Sequence, residues 1–234
     1  MYDSQPSALQ KLTGTIDLTA NQASVIKQTY LLLGVSVFCA IAGGYIGATS
    51  ETLVRFFSTW VGWIAAILLL NVVPRIAIAA RNNPALGVTA LVADGFISGI
   101  ALSPILFFAS RVEPVLILAA LMITAIVFIG ITAYVMMSGR TFSAPRGLMM
   151  GLFFAVGGAI VLNSFLHIGV MGMLISAGIG FMGVLGLVYS TSGVLRTTDS
   201  DSPIPGALML FAGVFNVFVA ALNILLRLLN GGRR

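Results

Sequence analysis

Seven apolar stretches, each long enough to cross a bilayer, fill most of the 234 residues, and a single acidic residue, Asp94, falls inside any of them. A hydrocarbon core about 30 Å thick needs about 20 apolar residues as helix. In lipid only helices and closed barrels satisfy every backbone group. The apolar runs are continuous and do not alternate, which selects helices over a barrel. The expected fold class is therefore all-α: a polytopic membrane protein built as a seven-transmembrane-helix bundle.

The spans read as about 29–48, 57–79, 85–109, 114–137, 145–166, 169–190 and 204–229. Breakers mark the cuts: Asn82-Asn83-Pro84, Glu113-Pro114, Ala144-Pro145 and the Ser202–Gly206 run. Residues 1–28 read as a polar tail, 29–229 as one membrane domain, and 230–234 as a basic tail whose end could be an appended remnant. No cleavable signal is expected, so the first helix targets the membrane. Basic residues concentrate in the even-numbered loops, at Arg75, Arg81, Arg140, Arg146 and Arg196. That places the N-terminus in the cytoplasm, although Arg227, Arg233 and Arg234 at the other end oppose it. The +5 formal charge is scattered along the chain and forms no nucleic-acid patch.

Chemistry-bearing residues are few. Asp94 is costly inside a span unless it pairs, neutralises or meets water, and it suits proton sensing or cation binding; its bland reading is pairing with Ser98, Thr89 or Arg81. Asn71, Asn163 and Asn216 read mainly as bridges between helices. His167, alone in a short turn, and Cys39, mid-span in the first helix, lack the partners of a metal site. Asp199 and Asp201 read as solvated linker. No catalytic set appears, and neither an enzyme nor a cofactor is expected. Glycines four apart, Gly43/Gly47, Gly95/Gly99 and Gly147/Gly151, predict close helix packing. Gly99 and Pro104 predict a bend in the third span, with a cavity wall beside Asp94.

Ordered strings resemble the transmembrane Bax inhibitor motif family, the Bax inhibitor-1 proteins, and their bacterial YccA-like branch. They are Thr29–Leu33, Gly95–Pro104 with Gly95 and Gly99, Leu187–Thr191 with Tyr189 and Thr191, and Ala207–Phe218. The resemblance implies seven helices with the last one central, a bacterial inner-membrane location, and in several members a pH-dependent calcium leak through paired aspartates. Those aspartates would fall at Ser190 and Gly213, and a further acidic position at Thr141, so all three acids are missing here. Two carboxylates titrate as a sensor because like charges at close range cannot both ionise. Serine and glycine cannot do so. The branch is also associated with the membrane protease FtsH.

Three functions follow as expectations. The first is a regulatory membrane protein modulating FtsH-type quality control or stress survival. The second is a Ca2+, proton or other cation leak or transport path using Asp94 with Asn163, Ser190 or Asn216. The third is a helix-packing partner in a larger complex.

Overall fold

A computed structural model describes residues 20–80, 83–143, 146–166, 168–196 and 202–231. Arg81, His167, Asp199, Asp201, Arg233, Arg234 and the first 19 residues lie outside the described set. Nine helices run through it: α1 Ala20–Thr49, α2 Glu51–Phe57, α3 Trp60–Ala79, α4 Pro84–Ala101, α5 Ser103–Val112, α6 Val115–Met137, α7 Arg146–Leu166, α8 Gly169–Arg196 and α9 Ile204–Gly231. Seven of them, all but α2 and α5, are long and apolar enough to span a membrane. The chain is an all-α, multi-pass membrane protein.

Local chemistry sets the helix starts. Ser50 caps α2 by accepting from Leu53 N–H at 3.5 Å. Thr59 caps α3 by accepting from Gly62 N–H at 3.1 Å, and Asn83 caps α4 from Leu86 N–H at 3.3 Å, with Pro84 in the first helical position. The caps at Ser50 and Thr59 separate α2 from α3, so the second span starts at residue 60 and not 57. The third span is also two helices. The chain breaks at Leu102, where Pro104 has no N–H to offer Ile100, and Ser103 Oγ donates to that carbonyl instead. Beyond α6 the turn rests on Gly139 at φ +64°, a conformation that glycine adopts without strain.

α9 sits at the centre and packs against α8, α6, α1, α3 and α4. It supplies residues to all three apolar clusters. Ile204, Ala207 and Leu208 meet Ala77, Ala90 and Leu91; Leu210, Phe211 and Val217 meet Leu33 and Leu187; Ala221, Leu222 and Leu226 meet Leu106, Ala109 and Ala120. α1 lies along α4 with backbone close to backbone. Gly95 stands against the Ser36 carbonyl, Gly43 against Phe96, and Gly99 against Ala40 and Gly44. Two of the three expected glycine pairs thus pack inside the chain. Around Gly147 and Gly151 there is open space, and α7 leans chiefly on α8.

Candidate functional site

Buried hydroxyls in the bundle mostly satisfy themselves. Ser36, Thr124, Ser176 and Ser190 each donate to the carbonyl four residues earlier, at 3.0, 2.7, 2.9 and 2.6 Å. Thr29 does the same to Val25 at 2.8 Å and also approaches the Pro203 carbonyl at 3.4 Å, which ties α1 to the entry of α9. Asn71 is exposed and donates back to Ile67, so it does not bridge helices as expected. The groups that stand out are those left without such a partner.

Asp94 is one. It is 5% exposed, one turn beyond Ala90 and Leu91, on the side of α4 that meets α3 and the start of α9. No hydrogen bond or ion pair reaches its carboxylate from any described residue; the one salt bridge among them joins Arg55 to Glu51 at the surface. The pairings expected with Thr89 and Ser98 do not form. Thr89 Oγ1 donates to the Ala85 carbonyl at 2.8 Å, and Ser98 lies buried without a recorded bond to Asp94.

Ser190 and Gly213, the positions where the resemblance places paired aspartates, lie on the two helices of the α8–α9 crossing, Gly213 opposite Gly186 and Ser190 one turn beyond it. Gly180 faces Ala220, Gly183 faces Asn216 and Val217, and a β-carbon on Gly186 would stand 3.9 Å from Gly213 Cα. A β-carbon on Gly213 would come within 2.8 Å of Leu187 Cγ, and Leu187 is fully buried. Apolar packing therefore occupies the place of the second acid, and the Ser190 hydroxyl is bound to Gly186. Asn216 contributes its Cβ to this crossing.

Asn163, on α7, buries its side-chain oxygen without a partner. α7 packs chiefly against α8, and α4 forms no packing pair with α8. Asp94, Asn163 and the Ser190–Asn216 crossing are therefore three separate places and do not form the single water-lined pocket expected. Of the family-string residues, Gly95 and Gly99 serve the α1–α4 contact, Tyr189 is half-buried, and Thr191 is fully buried with its hydroxyl unpartnered.

Thr191 belongs to a cluster that the sequence did not single out. The hydroxyls of Tyr30, Thr132 and Thr191 lie near one another where α1, α6 and α8 meet, buried and without a hydrogen bond. Nothing in the sequence distinguishes these three hydroxyls from the other polar residues of α1, α6 and α8. At the same end of the bundle, Ser192 accepts from the Phe142 N–H at 2.8 Å, and Arg196 donates to the Val135 carbonyl at 3.0 Å, capping the end of α6. Among the described residues no group of three or more His, Cys, Asp or Glu gathers as a metal site would require.

An apolar cavity lies elsewhere. It encloses about 610 Å³ between α1, the α4–α5 break, α6 and α9, with Leu33, Val37, Leu102, Phe128, Phe211 and Phe215 in its walls. The bend thus forms a cavity wall as expected, but Asp94 does not line the cavity.

Residues 22–231 match the family model described as inhibitor of apoptosis-promoting Bax1. The chain belongs to the Bax inhibitor-1 family. It is 27% identical to an uncharacterized protein of Campylobacter jejuni over 230 residues, covering 96% of both chains. An uncharacterized protein of Neisseria meningitidis serogroup A is 31% identical over 221 residues, covering 90% of this chain and 93% of its own. The Escherichia coli K12 protein named modulator of FtsH protease YccA is 27% identical over 202 residues, covering 86% of this chain and 89% of its own. The seven-span body around a central last helix, which the resemblance implied, is present in this chain.

Proposed function

We propose that this Bax inhibitor-1 family protein is a regulator that works through protein partners in a bacterial inner membrane, modulating an FtsH-type quality-control protease or stress survival. The observation that carries this reading is the α8–α9 crossing. Where a two-carboxylate sensor would sit, Ser190 is bound to its own helix and Gly213 is covered by Leu187. A leak controlled by paired acids has no acids there to titrate. Similarity to a protein named as an FtsH modulator supports a protein partner.

The body also suits a protein that resists extraction. α9 is held by five other helices, and the first turns of α1 are polar, with Gln28 and Lys27 exposed before the apolar run begins. In this reading the N-terminus lies in the cytoplasm, where the protease could engage it. Removing residues 1–19 leaves α1 whole and should weaken co-purification with the FtsH-type protease and alter turnover of its membrane substrates. Unchanged association and turnover would overturn the reading.

A second reading rests on Asp94, a buried carboxylate without a described partner. As a cation or proton site it would give flux across proteoliposomes that Asp94→Asn abolishes, and flux that survives the substitution would remove it.

A further inference from the structure

The apolar cavity has an unusual shape. Its α1 wall runs from Tyr30 to Thr49, a length of about 29 Å at the helical rise, nearly the thickness of a hydrocarbon core. Its opposite wall is α6, from Ile117 to Phe128, and its back is α9, at Phe211, Val214, Phe215 and Phe218. α1 and α6 meet at the Tyr30 end, where its ring stands 6.2 Å from that of Phe128 and its hydroxyl lies near Thr132, and the two helices do not pack closely along the rest of their length. The slot therefore opens sideways, with Ile41 and Tyr45 on its lip 50% and 72% exposed. In a seven-span protein that direction is the bilayer interior.

Size decides what can enter. Even with the space that opens outward included, the slot holds about 1670 Å³. A helix 10–12 Å across fills roughly 2,300 Å³ over the same length, so a partner's membrane helix does not fit within it. A polymethylene chain is one carbon thick, with neighbours at about 4 Å, and fits. The slot also has a charged approach. A shallow depression lined by Lys27, Tyr30, Leu31, Gly34, Val35 and Phe38 shares Tyr30 and Gly34 with it and leads to Lys27 near the membrane surface. At Gly34 a β-carbon would meet nothing within 4 Å, so the passage there is clear.

We propose that this slot is a binding site for one acyl chain of an anionic phospholipid, whose phosphate lies at Lys27 and whose chain passes Gly34 to run between α1 and α6. Apolar burial gives little advantage over the surrounding lipid, so retention comes from wall contacts on several sides of the chain and from the Lys27 charge. A chain held this way exchanges more slowly than lipid on the outer faces.

The test uses the full chain in vesicles of phosphatidylethanolamine and phosphatidylglycerol, with a trace of phosphatidylglycerol carrying a diazirine in its acyl chain. After irradiation, adducts are mapped by mass spectrometry. Adducts on Val37, Thr124 and Phe215 should exceed those on Phe153 and Phe154 of outward-facing α7 several-fold. Gly34→Trp, which fills the slot from α1, and Ala125→Phe, which fills it from α6, should each bring the groove signal down to the α7 level. Gly147→Trp, in open space on α7, should leave it unchanged and serves as the folding control. Lys27→Gln should lower labelling by phosphatidylglycerol more than by a phosphatidylcholine probe. Even labelling of groove and α7, or groove labelling unaffected by both filling variants, would show annular lipid only and overturn the site. Equal losses for the two probes in Lys27→Gln would overturn the headgroup assignment.

Discussion

Gly99 shows how little slack the bundle has. A β-carbon there would run into the Ala40 carbonyl and the Gly44 backbone nitrogen, both backbone atoms that cannot swing aside. Gly99→Ala should cost about 1–3 kcal/mol through forced separation of α1 and α4, read as a lower thermal midpoint in detergent. Gly147→Ala, in open space, should stay within about 0.5 kcal/mol of wild type. Asp94 is the converse case, a polar group kept where an apolar one would pack. Asp94→Asn removes an ionisable group that no described residue compensates, and should leave stability unchanged or raise it by up to about 3 kcal/mol. A large loss of stability would mean that the carboxylate holds a partner the bundle needs.

The helices were legible wherever lipid imposes its rule. Each span needs about 20 apolar residues, and the seven runs matched seven membrane-length helices. The misses have physical causes. Residues 85–109 read as one span with a bend at Gly99 and Pro104, and the bend proves to be a full break at Leu102, through the backbone donor that Pro104 lacks. α1 begins at Ala20 and not near residue 29, because a helix continuing outside lipid needs no apolar signal. The α2–α3 division depends on Ser50 and Thr59 caps, which hydropathy does not register. The segment after α6 is held by the Ser192 hydroxyl and by the Phe142 ring against Tyr134. Ser192→Ala deprives the Phe142 N–H of its acceptor and should cost about 1–3 kcal/mol locally, seen as faster proteolysis between residues 138 and 143.

For the molecule as a whole, the sequence identified polar residues but not which ones meet. Gly213 and Asn216 do face α8, at Gly186 and Gly183, because α8 and α9 cross there on glycines, and Ser190 lies one turn beyond Gly186. Asp94 and Asn163 do not join them, since helix neighbours outweigh chemical likeness and α4 and α7 lie against different parts of the bundle. Of the apolar slot only the wall at the Gly99–Pro104 bend was legible, because residues that line a cavity and residues that face lipid have the same composition. In this Bax inhibitor-1 family chain the α8–α9 crossing is packed on glycines and Leu187, without acids. The most direct measurement is calcium and proton flux from liposomes carrying the purified protein between about pH 6 and pH 8, comparing wild type with Asp94→Asn. Silence in wild type at every pH is the expected result and leaves partner-mediated regulation as the role. A wild-type flux that Asp94→Asn abolishes would contradict it and make the protein a leak with a relocated acid.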